Sequence, residues 1–147
     1  KLRLTGGEPL AQKRCLQLLA HLCDAGYSVS LETGGAIDIA GVDGRVSRVL
    51  DIKTPGSGEV ERNLWGNLAL LTPRDQVKFV ICSRADYDWA KGVLAEWRPQ
   101  ETCDVLFSPS FGQVAPRELA DWIVADALPV RFQLQLHKLL WNDEPGR

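Results

Sequence analysis

The sequence holds no methionine, not even at its first position. Its opening residues, "KLRL", already alternate like the middle of a strand, so the chain is expected to be the later part of a longer protein. No apolar run approaches the roughly 20 residues that a membrane-spanning helix requires, and no stretch of the 147 residues has the build of a secretory leader. Positive charge is also scarce as a pattern. The 17 Lys and Arg are scattered among 19 Asp and Glu, for a net charge of -2, and form no basic stripe that would grip a nucleic-acid backbone. The four cysteines, Cys15, Cys23, Cys82 and Cys103, lack any CxxC spacing. They read most simply as buried thiols of a cytoplasmic protein, and a metal site built from them alone is disfavoured.

What is present supports one ordinary domain over residues 1–147, with 45% hydrophobic residues to build its core. Six extended runs alternate with helical ones: 1–5, "YSVSLE" (27–32), "VSRVLDIK" (46–53), "QVKFVIC" (76–82), "CDVLFS" (103–108) and "VRFQLQLHK" (130–138). A helix is expected from Pro9 to Ala25, with Leu16, Leu19, Ala20 and Cys23 on its stripe and Gly26 at its exit. Others are expected around Leu64 to Leu71, from Arg84 to Trp97 with Pro99 as a stop, and from Pro116 with Leu119, Trp122 and Ile123 inward.

Strands separated by helices imply a parallel sheet and the α/β class. Parallel strands covered on both faces are apolar throughout, yet most of these alternate. On one face lie Leu2 and Leu4, Val29 and Leu31, Leu50 and Ile52, Val77, Phe79 and Ile81, and Phe132, Leu134 and Leu136. On the other lie Arg3 and Thr5, Ser28, Ser30 and Glu32, Asp51 and Lys53, Gln76 and Lys78, and Arg131, Gln133, Gln135 and His137. A closed barrel fills its interior with branched apolar side chains, so the polar rows predict an incomplete, TIM-like barrel with helices outside and a polar ligand on the concave face. The alternative is a one-layer sheet with its second face in water. Thr5, Glu32, Lys53, Ser108 and His137 fall at the C-terminal strand ends, where α/β sites are found.

At the end of the first strand, "LTGGEPL" places two adjacent glycines between strand and helix. A tight turn at positive φ accounts for them, as does a ligand lying against bare backbone. By residue chemistry alone, Glu32 suits an amine and a ring N–H, or serves as a surface or capping glutamate. His137 suits a carboxylate, with Lys138 nearby, or is an exposed histidine near the chain end. Lys53 and Lys78 are by default solvated charges. Trp89, Trp97 and Trp122 read as packing residues, whereas Trp65 and Trp141 suit a rim or interface. "GSGE" at 56–59 lacks the Gly-Lys-Ser/Thr ending of a phosphate loop.

Taken in order, the GGEP turn, "LETGG" (31–35), "LDIK" (50–53), "FSPSFGQ" and "LQLHK" (134–138) resemble the radical S-adenosylmethionine (SAM) enzymes, and within them the 7-carboxy-7-deazaguanine synthases. The resemblance covers the whole chain and implies that Gly6, Gly7 and Glu8 bind the methionine amino group of SAM. It assigns Asp51, Lys53, Lys78 and Gln135 to the cofactor, and Glu32, Thr33, Gly34, Ser108 and His137 to the substrate, with no acid or base assigned. It further implies a 4Fe-4S cluster, Mg2+, a reductant such as flavodoxin, a homodimer, and no nucleic-acid or membrane partner. The implied reaction turns 6-carboxy-5,6,7,8-tetrahydropterin into 7-carboxy-7-deazaguanine with loss of ammonia, in queuosine and 7-deazapurine biosynthesis. It is opened by a 5'-deoxyadenosyl radical that takes hydrogen from C6. The chain departs from the family in one respect: no CxxxCxxC-type loop precedes the GGE turn, and the four cysteines have the wrong spacing to replace it. The chain alone is therefore expected to be inactive. The alternatives are an activase for glycyl-radical enzymes, which shares GGEP, and a non-catalytic SAM- or pterin-binding fragment.

Overall fold

A computed structural model describes residues 1–141, apart from the side chains of His137 and Leu139. Among these residues one parallel sheet runs in chain order: β1 Leu2–Leu4, β2 Val29–Thr33, β3 Ser47–Ile52, β4 Gln76–Ile81, β5 Asp104–Pro109 and β6 Arg131–Phe132. Its helices are α1 Cys15–Asp24, α2 Arg84–Trp97, α3 Pro116–Ala125 and α4 Leu136–Trp141. Strand β1 pairs only with β2, and β6 only with β5, so the sheet is open. A flat sheet of this width would hold its edges about 24 Å apart at roughly 4.8 Å per strand. Yet Arg3 of β1 and Gln133, just past β6, line the same trough. The sheet therefore curls into an incomplete barrel, as the polar rows require.

The apolar rows build the convex side. Leu31, Leu50, Ile52, Val77, Phe79, Ile81 and Phe107 meet Leu19 of α1, Tyr87, Ala90 and Leu94 of α2, and Leu119 and Ile123 of α3. Phe79 packs edge-to-face on Phe107 at 5.4 Å. Full burial of each such side chain contributes about 1.5–3 kcal/mol. Helix α2 begins where Ser83 Oγ accepts from the Asp86 N–H at 3.2 Å, and it spans the residues its periodicity predicts. No helix among the described residues is long and apolar enough to cross a membrane.

Two elements differ from the sequence reading. The helix expected from Pro9 splits into a 3-10 turn, Pro9–Ala11, and α1, because Glu8 caps the first turn and Gln12 is extended. Cys15 and Leu19 consequently face the core, and Leu16 is exposed. The sixth strand stops at Phe132 rather than reaching 138, after a last ladder bond from the Gln133 N–H to Phe107 O at 2.9 Å. The next β5 residue on that side is Pro109, which has no N–H to continue the ladder. The chain then turns into α4, so Gln135 precedes a helix, His137 lies within it, and Leu136 is exposed. All four cysteines are free, but only Cys15 and Cys103 are buried.

Candidate functional site

The concave face is set by strand register. Glu32 stands opposite Val49 and Val49 opposite Gln76, while the next row is Asp51, Lys78 and Leu106. These rows floor a trough of about 400 Å³ lined by Arg3, Thr5, Glu32, Lys78, Gln133 and Gln135, among others. Lys78 reaches from β4 past the short Val49 side chain to β2, where its Nζ donates to Glu32 Oε1 at 2.9 Å. On the other side Thr5 Oγ1 donates to Glu32 Oε2 at 3.3 Å, and Arg3 Nη1 lies 4.0 Å from the same oxygen. Burial pushes the Glu32 carboxyl up, but the Lys78 hydrogen bond and charge, with Arg3 and Thr5, outweigh it and hold the group below its ordinary range. The trough thus presents one carboxylate held ionised between two cations. Val49 and Leu106 supply its apolar floor. A larger hollow of about 720 Å³ lies beside β1, but its walls are mostly apolar, with Leu4, Pro9, Cys15 and Leu18 among them.

Two turns form the rim above the trough. Gly6 and Gly7 adopt φ of +94° and +56°, with no atom within 4 Å of where a β carbon would stand. Conformation, not crowding within the fold, therefore demands the pair, and it leaves their backbone open. The Glu8 carboxylate accepts from Thr33 Oγ1 at 2.9 Å, from the Gly34 N–H at 2.8 Å and from the Leu10 N–H at 3.1 Å. Lys53 sits alongside and shares a hollow of about 250 Å³ with Gly7, Glu8 and Gly34. Asn63 holds the Lys53 backbone, accepting its N–H at 2.9 Å and donating to its carbonyl at 2.8 Å.

The predicted residues thus fall into two groups. Glu32, Lys78 and Gln135 share the trough, and Gly6, Gly7, Glu8, Thr33, Gly34 and Lys53 share the rim. Thr33 is buried, and its hydroxyl is engaged by Glu8. Asp51 turns to Lys53 Nζ at 2.9 Å. Its Oδ1 and the fully buried Ser108 Oγ have no partner among the described residues. The expectation for the His137 side chain lies outside the described residues. Sequence reasoning placed Arg3 and Thr5 in the polar row without giving them a role. It missed Asp86 altogether, although Ser83 three residues ahead is a capping signal. Buried Asp86 accepts from Thr54 Oγ1 at 2.9 Å, the Gly56 N–H at 2.8 Å and the Cys82 N–H at 3.1 Å. This anion takes the amide of the "GSGE" loop, which removes that loop as a phosphate cradle.

Among the described residues no three His, Cys, Asp or Glu side chains converge as metal ligands. They offer no thiolate set that fits an iron-sulfur cluster. The open glycine turn and the trough cations do fit polar organic ligands, whereas the Asp51 and Ser108 oxygens without a partner are buried and line neither hollow.

No family model matches the chain. It is 49% identical over 144 residues to 7-carboxy-7-deazaguanine synthase of Chlorobaculum tepidum, covering 96% of this chain and 66% of that protein. To the synthase of the same name from Koribacter versatilis it is 39% identical over 155 residues, covering 96% of this chain and 69% of that one. The chain thus spans about two thirds of the length of these curated relatives. Among solved structures, QueE from Escherichia coli superposes with a TM-score of 0.63 at 20% identity, covering 90% of this chain and 55% of that one. Streptococcus suis SuiB bound to S-adenosylmethionine gives 0.62 at 11% identity, covering 90% and 37%. At such identities the two structures establish the shared open-barrel fold. The curated relatives add the name, and with 39% identity across 69% of one of them, the chain belongs to the 7-carboxy-7-deazaguanine synthase family.

Proposed function

We propose that this chain carries the cofactor and substrate platform of a radical SAM lyase that converts 6-carboxy-5,6,7,8-tetrahydropterin to 7-carboxy-7-deazaguanine with loss of ammonia, in queuosine and 7-deazapurine biosynthesis. The supporting observation is the Glu32 carboxylate, held ionised by Lys78, Thr5 and Arg3 in a trough of small-molecule size. It accepts the paired N–H groups of a pterin edge, an arrangement that suits a carboxylate. Arg3 and Lys78 then face the substrate's own negative charge. The Gly6 and Gly7 backbone, with Lys53, holds the polar end of SAM at the rim. SAM supplies radical chemistry when bound beside a reduced 4Fe-4S cluster, whose ligands are assigned outside this chain. The share of this chain is orientation and exclusion of water. Mg2+, a flavodoxin-like reductant, a homodimer and a cytoplasmic location complete the proposal, together with inactivity of this chain by itself.

Calorimetric titration of this chain with SAM and with the pterin tests the platform. Saturable binding of both supports it, and binding of neither defeats it. Turnover by the cluster-reconstituted longer protein, read as 7-carboxy-7-deazaguanine and 5'-deoxyadenosine, tests the reaction. Deoxyadenosine without the deazapurine would favour the activase alternative.

A further inference from the structure

We infer that Glu8 is a positioning residue, whose carboxylate brackets the ETGG turn after β2 onto the GGEP turn after β1 and thereby sets the placement of Glu32. This deepens the functional reading above, and its binding test rests on that reading. Strands β1 and β2 are in register over only three residue pairs, ending at Leu4 and Leu31. Thr33 and Gly34 lie beyond the last pair and have no register partner on β1. The Glu8 carboxylate takes over there. Thr33 Oγ1 lies 2.9 Å from each of its oxygens, the Gly34 N–H donates to Oε2 at 2.8 Å, and the Leu10 N–H donates to Oε1 at 3.1 Å. One donor closes the turn that carries Glu8, and the other two belong to the end of β2. Thr33 follows Glu32 directly, and neighbouring residues of a strand face opposite ways. Anchoring Thr33 behind the sheet therefore fixes the backbone from which Glu32 enters the trough. A β carbon at Gly34 would stand in ordinary contact with Oε2, at 3.4 Å.

Three donors already share the Glu8 carboxylate, and the Gly6 and Gly7 backbone stands open beside it. Hydrogen bonds to an ionised acceptor are about twice as strong as neutral ones. The bracket is thus stiffer than a β-ladder bond would be at the same place. It couples the two turns, so geometry at one is felt at the other.

Two isosteric substitutions, Glu8→Gln and Thr33→Val, test the inference on this chain. Hydrogen exchange comes first and needs no ligand. In Glu8→Gln the Gly34 amide should exchange about tenfold faster, as loss of a charged acceptor implies, with the β3 and β4 core amides unchanged. Unchanged Gly34 protection would overturn the bracket. In calorimetry each substitution should weaken pterin binding about tenfold, and the double variant should be no weaker than either single one, because both open the same bracket. SAM affinity should stay within about twofold, since the Gly6 and Gly7 backbone is untouched. Weakened SAM binding alone in Glu8→Gln, additive with Thr33→Val, would make Glu8 a direct ligand and refute the positioning role. If the unsubstituted chain binds neither molecule, the functional reading fails, and the Gly34 exchange rate still decides the bracket.

Discussion

Two of the acid–base pairs that tie neighbouring parts of this sheet together are built differently. At the N-terminal end of β3 and β4, Asp75 accepts from the Arg48 backbone N–H at 2.7 Å, Arg48 Nη2 at 2.6 Å, the Thr72 N–H at 2.7 Å and Thr72 Oγ1 at 2.9 Å. Arg48 adds a bond to the Leu70 carbonyl at 2.9 Å, and the Asp75 side chain is 1% exposed. In the trough, Glu32 has one bond at 2.9 Å, one at 3.3 Å and a cation at 4.0 Å, and its side chain remains 22% exposed. Both carboxyls are pushed up by burial and pulled further down by their partners. The difference lies in saturation. Asp75 has no lone pair to offer and joins two strands, whereas Glu32 is held ionised with capacity left for a ligand.

The largest expected effect breaks the closed pair. Asp75→Ala leaves Arg48 buried without its counter-charge and should cost about 3–5 kcal/mol in denaturant unfolding, while a loss below about 1 kcal/mol would erase the contrast. A smaller loss is expected where the rim is supported by its own saturated carboxylate. A β carbon at position 56 would meet Asp86 Oδ2 at 2.5 Å, so Gly56→Ala should lower stability by about 1–3 kcal/mol, read by thermal unfolding. Glu32→Gln should cost no more than about 1 kcal/mol of stability while weakening pterin binding by tenfold or more, and equal losses in both would make Glu32 structural. The pH dependence is subtler. The folded value of Glu32 lies below its ordinary 4.5, so stabilisation by Lys78 is complete above that ordinary value and is lost as pH falls through the folded one. Unfolding curves of the unsubstituted chain and Glu32→Gln should therefore differ near neutrality and converge in acid. A gap that persists into acid would mean the pair does not act through charge.

Legibility in the sequence followed the range of the interaction. Helix α2 was readable from Arg84 to Trp97 because its periodicity and the Pro99 stop are local and agree. The sixth strand was not, since "FQLQLHK" suits either period over so short a run, and the deciding proline lies on β5. Trp65 shows the same limit. It stacks on Trp97 at 5.5 Å as part of the packing, a contact between segments some thirty residues apart. Within the site, Glu32 and Lys78 were visible as members of polar rows, but their pairing depends on two strand registers and on the short side chain between them.

By itself the sequence determined the class, the two faces of the sheet and the position of both glycine turns, because alternation, capping and positive-φ demands act over a few residues. Tertiary structure alone decided how far the sheet curls, so that Arg3 and Gln133 share one trough, that Glu8 turns its carboxylate to the neighbouring turn, and that Asp86 holds the loop of Gly56. These outcomes rest on contacts between distant segments, whose geometry exists only once the strands are in register and the hydrogen-bond donors of one turn meet the acceptor of another.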